Sequence, residues 1–92
     1  MIVSYRDKRT RLFATGKQVK AFSGFARQAE TRLDRLDAAA SMADLAALAG
    51  NRLEALKGDR RGQHSIRIND QWRICFRWTA AGAEDVEIVD YH

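Results

Sequence analysis

Lys57 in "LEALKG", Arg67 in "SIRIND", Arg73 in "DQWRI", and Asp90, Tyr91 and His92 in the final "DYH" have the side-chain chemistry to handle a phosphodiester. Cleaving RNA through its own 2′-hydroxyl needs a base, an acid and cations that stabilise a crowded, negatively charged phosphorane. Lys57, Arg67, Arg73, Tyr91 and His92 could supply those parts. The same residues would also serve a plain anion-binding surface, and a terminal "DYH" is by default a frayed tail. Residue type alone leaves both readings open.

Other chemistries lack their signatures. There is no GxSxG, no phosphate loop ending in GK[ST], no HExxH and no dinucleotide fingerprint. The single cysteine, Cys75, has no internal disulfide partner, and no Cys/His cluster has zinc spacing, so neither a metal nor a cofactor is expected. His64 is expected on the opposite sheet face from Cys75, which leaves the thiol as inert packing. "GDRRG" at 58 to 62 offers two glycines and two cations, a pattern more often found in a solvated turn than in a phosphate cradle.

Ninety-two residues fit one domain spanning 1–92. A chain this short buries roughly two-thirds of its unfolded surface, so most large apolar side chains are needed for its core. Hydrophobic residues at 46% and charged residues at 30% fit an ordinary globule, with no apolar run near the length of a membrane span. "MIVSYRDKR" lacks the apolar centre of a secretory signal, so a cytoplasmic protein without membrane contact is expected. The net charge of +4 suits nucleic acid or an acidic protein as partner. Cations concentrate in residues 52 to 78, whereas 79 to 92 carry Glu84, Asp85, Glu87 and Asp90 and no Lys or Arg. A basic hairpin therefore meets an acidic strand.

The elements that must position these groups follow from periodicity. After a short "IVSY" strand, "RDKRTRLFATG" reads as a brief helix with Leu12 and Phe13 inward and Gly16 as its stop. Phe22, Phe25, Ala26, Ala29, Leu33 and Leu36 recur at spacings of three and four, predicting one longer helix from 22 to 36. "SMAD" starts a third, with Ser41 and Asp44 in a near-match to a capping box and Gly50 as its end. "RLEALK", "QHSIRI", "QWRICFRW" and "EDVEIVDYH" read as strands separated by turns. The expected fold class is α+β, with N-terminal helices packed on one face of a mainly antiparallel sheet.

Alternation sets the register. Trp72, Ile74, Phe76 and Trp78 point to the core and Arg73, Cys75 and Arg77 away from it. Ile66 and Ile68 must share that core, so even-numbered residues must oppose even-numbered residues. This predicts a three-residue connection, Asn69 to Gln71, with Ile66 opposite Ile74 and Arg67 opposite Arg73. Directly opposed like charges destabilise a sheet. On the last strand the same rule sets Arg77 opposite Asp85, Cys75 opposite Glu87, and Arg73 opposite Val89. Arg77 is thereby neutralised, while Arg67 and Arg73 gain no evident internal counter-ion. Either an external anion fills that place or both side chains splay into solvent, where screening makes their repulsion small.

"RLEALKGDRRGQHSIRINDQWRICFRW" followed by "DVEIVDYH", with "MIVSYRDKRTRLFATG" at the start, resembles the HigB-type toxins of type II toxin–antitoxin systems, in the RelE/ParE superfamily. The resemblance covers nearly the whole chain and is strongest in "LKGD", "INDQWRI" and "DYH". It implies a small RelE-like fold and a ribosome-dependent endoribonuclease that cuts messenger RNA in the decoding site without metal. It also implies a HigA-like helix-turn-helix antitoxin, with operator DNA met only through the antitoxin complex. Carried over by position, Lys57 would contact the phosphate and Arg73 would stabilise transition-state charge. Tyr91 would stack on or orient the substrate, and His92 would take part in proton transfer with Asp90 assisting. Arg67 is assigned to RNA contact, and Lys8, Arg9, Arg11, Lys17 and Lys20 fit ribosomal RNA as well as a solvated helix face. Glu54 departs from the histidine of some relatives: it could act as a base, but it would repel phosphate. The alternatives are a gyrase poison like the ParE-type relatives, or a non-catalytic RNA-binding or protein-binding module.

Overall fold

The computed structural model describes residues 1–90. Helix α1 (Lys8–Ala14) begins where the Asp7 carboxylate accepts from the Thr10 N–H at 3.3 Å. It ends in a Schellman closure: Lys17 N–H donates to Leu12 C=O, and Gly16 N–H to Phe13 C=O. Gly16 sits at φ +97°, a conformation that favours glycine, so the predicted stop is the observed one. Phe13 is buried and Leu12 half-buried.

The helix expected from 22 to 36 is two elements. Lys20–Phe25 forms a 3-10 helix, and α2 proper runs Ala26–Ala38. The chain bends at Phe25, whose φ of −139° and ψ of 25° leave the α region. Gly24, a weak helix former, precedes the bend. Residues three apart eclipse in a 3-10 helix, and Phe22 and Phe25 both reach the core against Trp72, with ring centroids 5.7 and 4.9 Å from it. The spacing of three thus marked buried residues correctly while overstating the helix.

Helix α3 (Met42–Ala46) opens as expected. Ser41 Oγ accepts from the Asp44 N–H at 3.3 Å, and Asp44 reaches back to the Ala40 N–H at 2.8 Å. It stops at Ala46 rather than at Gly50, which lies in a 3-10 turn, Ala49–Asn51. Buried Asn51 holds that turn by donating from Nδ2 to the Leu45 carbonyl at 3.2 Å.

Four strands form one antiparallel sheet in sequence order: β1 (Glu54–Ala55), β2 (His64–Arg67), β3 (Trp72–Thr79) and β4 (Gly82–Asp90). Ile66 opposes Ile74 and Arg67 opposes Arg73, as parity required. Asn69 closes the connection by accepting from the Gln71 and Trp72 N–H groups at 2.9 and 2.7 Å. One face of the sheet carries Ile66, Ile74, Phe76, Val86 and Ile88, all fully buried, in one core cluster with Phe22, Leu33, Leu36 and Leu45 from the helical layer.

Register between β3 and β4 holds from Arg73 opposite Val89 to Cys75 opposite Glu87 and then shifts, so that Arg77 opposes Glu84 rather than Asp85. The cause is an extra residue in β4, where Asp85 sits at φ +53°, a left-handed conformation that aspartate tolerates. Arg77 still pairs with Asp85, at 3.8 Å. The expected "IVSY" strand is reduced to two isolated bridges, one on each side of the bulge. Ile2 bridges Ala83 before the bulge and Tyr5 bridges Val86 after it, both parallel and in the same register. No described helix is long and apolar enough to cross a membrane.

Candidate active site

On the face turned away from the helices, Glu54, Ser65, Cys75 and Glu87 form one row across all four strands. The next row holds Arg67, Arg73 and Val89. Arg73, only 15% exposed, is fixed by several groups at once. Its Nε donates to Ser65 Oγ at 2.8 Å, its Nη2 donates to the Arg52 carbonyl at 2.7 Å, and Nη2 lies 3.7 Å from Glu54 Oε1. A guanidinium pinned at Nε and Nη2 is held in one orientation without further ordering cost. Arg52 presents its carbonyl because it adopts a left-handed conformation, φ 44°, at the end of the 3-10 turn.

The expectation that Arg67 and Arg73 have no internal counter-ion is corrected. Arg67 Nη2 bonds Asp70 Oδ1 in the adjoining turn, and Arg73 has Glu54. Parity between β2, β3 and β4 could not reveal either, because one partner sits in a loop and the other on a two-residue strand beyond β2. Both carboxylates are largely solvated, Asp70 at 98% and Glu54 at 58% exposed, so neither pair is a strong clamp.

Lys57 follows β1 and starts a 3-10 turn, Gly58–Arg60. Its side chain is exposed and makes no ion pair among the described residues. It lies three positions after Glu54, so its Cα is within about 11 Å of that of Arg73's counter-ion. Asp90 opposes Trp72 and shares its parity, so it leaves β4 on the helix side of the sheet, the face opposite Arg73. Asp90 Oδ2 accepts from Gln71 Nε2 at 2.7 Å, which ties the end of β4 to the β2–β3 connection. Tyr91 and His92 lie outside the described residues.

Cys75 is fully buried beneath this face. Burial is the main reason its thiol is pushed up to about 11; Glu87 adds to the rise and Arg60, Arg73 and Arg6 oppose it. Glu87 is held by Arg60 at 3.1 Å and lies 3.9 Å from Arg6. The thiol therefore stays protonated at neutral pH, as a packing residue should. His64 lies on the core face, stacked on Phe76 at 6.4 Å.

Sequence reasoning missed Ser65 and the Arg52 carbonyl. Ser65 did carry a signal: its odd number sets it on the Arg67 and Arg73 face, where a small buried hydroxyl reads as a hydrogen-bond partner. The Arg52 carbonyl carried none, because its orientation depends on a left-handed residue that is not glycine.

The sequence that builds this face matches known proteins. Residues 3–92 match the HigB-like toxin family, described as the RelE-like toxin of the type II toxin-antitoxin system HigB. The chain belongs to the HigB-like toxin family. Toxin HigB-1 of Vibrio cholerae serotype O1 is 39% identical over 72 residues, covering 78% of this chain and 67% of that protein. The protein named Endoribonuclease HigB of Proteus vulgaris is 37% identical over 65 residues, covering 66% of this chain and 65% of that protein. The chain thus spans about two-thirds of the length of the curated relatives it matches. This HigB-like toxin keeps the RelE-like α+β plan, with the basic pair Arg67 and Arg73 on the uncovered side of the sheet.

Proposed function

We propose that this HigB-like toxin is an endoribonuclease that cleaves messenger RNA in the ribosomal decoding site and so inhibits translation. The observation that carries the reading is Arg73: a nearly buried guanidinium, held by Ser65 and Arg52 on the uncovered sheet face, beside a second arginine. In the reaction the 2′-hydroxyl attacks the adjacent phosphorus and gives up its proton. The bond from phosphorus to the 5′-oxygen then breaks and that oxygen is protonated. Arg73 and Lys57 stabilise the charge that gathers on the phosphoryl oxygens, a task needing fixed donors more than covalent chemistry. His92 takes part in proton transfer and Tyr91 orients the substrate. Asp90 assists as a positioning residue, through the strand end that it ties to Gln71. Arg67 binds the RNA backbone.

The toxin acts in the cytoplasm, where a HigA-like helix-turn-helix antitoxin neutralises it and carries the pair to operator DNA. Folded Arg73→Ala and His92→Ala variants are expected to lose both message cleavage, mapped by primer extension, and toxicity. Wild-type rates in both would refute the assignment. Gyrase-dependent DNA breaks with intact messages would place the protein with the gyrase poisons instead.

A further inference from the structure

Near Arg67, two arginines of α2 form a cluster with no ion pair to a carboxylate among the described residues. Arg32 of α2 donates from Nε to the Arg67 carbonyl at 2.8 Å and from Nη2 to the Gly50 carbonyl at 3.4 Å. Strand β1 pairs only with Ser65 and His64, so the Arg67 carbonyl lies beyond its reach and Arg32 occupies that edge. Arg35, one turn on, donates from Nη1 to Asn51 Oδ1 at 3.4 Å. Both guanidiniums lie over Gly50: a Cβ placed there would be 3.4 Å from Arg32 Nη2 and 3.9 Å from Arg35 Nη1. Among the described residues neither arginine makes an ion pair with a carboxylate, and Arg67 is a third cation beside them. Burial first, then Arg35 and Arg67, pull the Arg32 pKa down, the direction expected of a cation among cations.

The segment Gly50–Arg52 joins this cluster to the reaction site. Its Gly50 carbonyl holds Arg32 and its Arg52 carbonyl holds Arg73. Two residues span at most about 7 Å, the scale of one nucleotide step. We infer that Arg32 and Arg35, with Arg67 beside them, form a binding site for an RNA backbone phosphate adjoining the one engaged by Arg73. The planar, forked donors of two arginines suit a phosphate better than lysines would. A neighbouring site of the same sign suits a polyanion of regular charge spacing better than a single acidic side chain. The inference rests on the endoribonuclease reading for its setting.

The test uses the full chain and ribosomes programmed with a message whose cleavage-site 2′-hydroxyl is methylated, so that binding is measured without reaction. Arg35→Gln is expected to weaken binding about 3- to 10-fold at low salt and to flatten the salt dependence by about 0.7 in log–log slope, one single-strand phosphate contact. Arg32→Lys, which keeps the charge but loses the fork, is expected to weaken binding with little change in slope. Arg27→Gln, an equal charge change on an exposed part of α2, serves as control. On unmodified message the cleavage rate at saturation stays near wild type for Arg35→Gln while KM rises. Circular dichroism melts confirm folding, and Arg35→Gln carries the test if Arg32→Lys fails to fold. Arg35→Gln binding no more weakly than Arg27→Gln would overturn the inference. So would unchanged RNA binding with a weakened antitoxin complex, which would assign the cluster to an acidic protein segment. A wild-type protein that cleaves nothing would refute the endoribonuclease reading, while the binding series would still decide the phosphate site.

Discussion

Glu54 stands 3.7 Å from the Arg73 guanidinium, and under the proposed function a substrate phosphate would compete with it. Replacing Glu54 by Gln removes that charge and keeps the shape. At 3.7 Å the Coulomb energy of the pair is about 1 kcal/mol in water and about 4 kcal/mol at the effective dielectric typical of a protein surface. Because the Glu54 side chain is 58% exposed, the lower figure applies. A difference of about 1 kcal/mol is roughly a fivefold gain in affinity for RNA. Binding to ribosomes carrying methylated, uncleavable message should therefore tighten about fivefold for Glu54→Gln at low salt, and the gain should shrink at higher ionic strength as screening grows. Affinity that is unchanged, or weaker, at low salt would refute the competition. Cleavage at saturating substrate separates this role from a second one. A counter-ion leaves the saturated rate near wild type, whereas loss of a general base would lower it by about 100-fold or more.

Three further outcomes follow from the same geometry. Ser65→Ala removes the acceptor for Arg73 Nε and is expected to lower the saturated cleavage rate about 10- to 100-fold through misplacement of the guanidinium, with the thermal midpoint as the check that the fold persists. Gly82→Ala would place a Cβ 2.3 Å from the Met1 carbonyl oxygen at φ +131°, so the N-terminal segment must leave β4; a cost on the order of 3 kcal/mol should lower the melting temperature by at least about 10 °C. Cys75 should resist iodoacetamide at pH 8 in the native protein, since its thiol is raised from 9.0 to about 11. Above pH 9 the unfolded chain loses the thiol proton while the native chain retains it up to about 11, so stability to urea should fall as pH rises through that window.

The hairpin was legible because alternation over "SIRINDQWRICFRW" permits only one assignment of faces. Once Ile66, Ile68, Trp72 and Ile74 share the core, a three-residue connection and the Arg67–Arg73 pair follow. Ser41 with Asp44, and Gly16 after Phe13, were legible for the same reason: capping chemistry is local. Phe22 and Phe25 were identified as buried but placed in the wrong helix, since spacing of three is common to both helix types.

What sequence by itself determined here is local and periodic: the α+β class, the alternation of core-facing strand residues, the stop of α1 and the cap of α3, and which strand residues oppose one another near the turn. The identity of each charge's partner was settled only in three dimensions. Glu54 reaches Arg73 from a strand not adjacent to it, and Arg32 reaches the Arg67 carbonyl from a helix 35 residues away. The bulge at Asp85, which redirects the end of the β3–β4 ladder, depends on the N-terminal segment: Ser4 Oγ accepts from the Asp85 N–H at 2.9 Å, and Ser4 C=O accepts from the Val86 N–H at 3.0 Å. Long, flexible cations find their partners through whatever the fold brings within several ångströms, and no pattern of nearest neighbours along the chain encodes that distance.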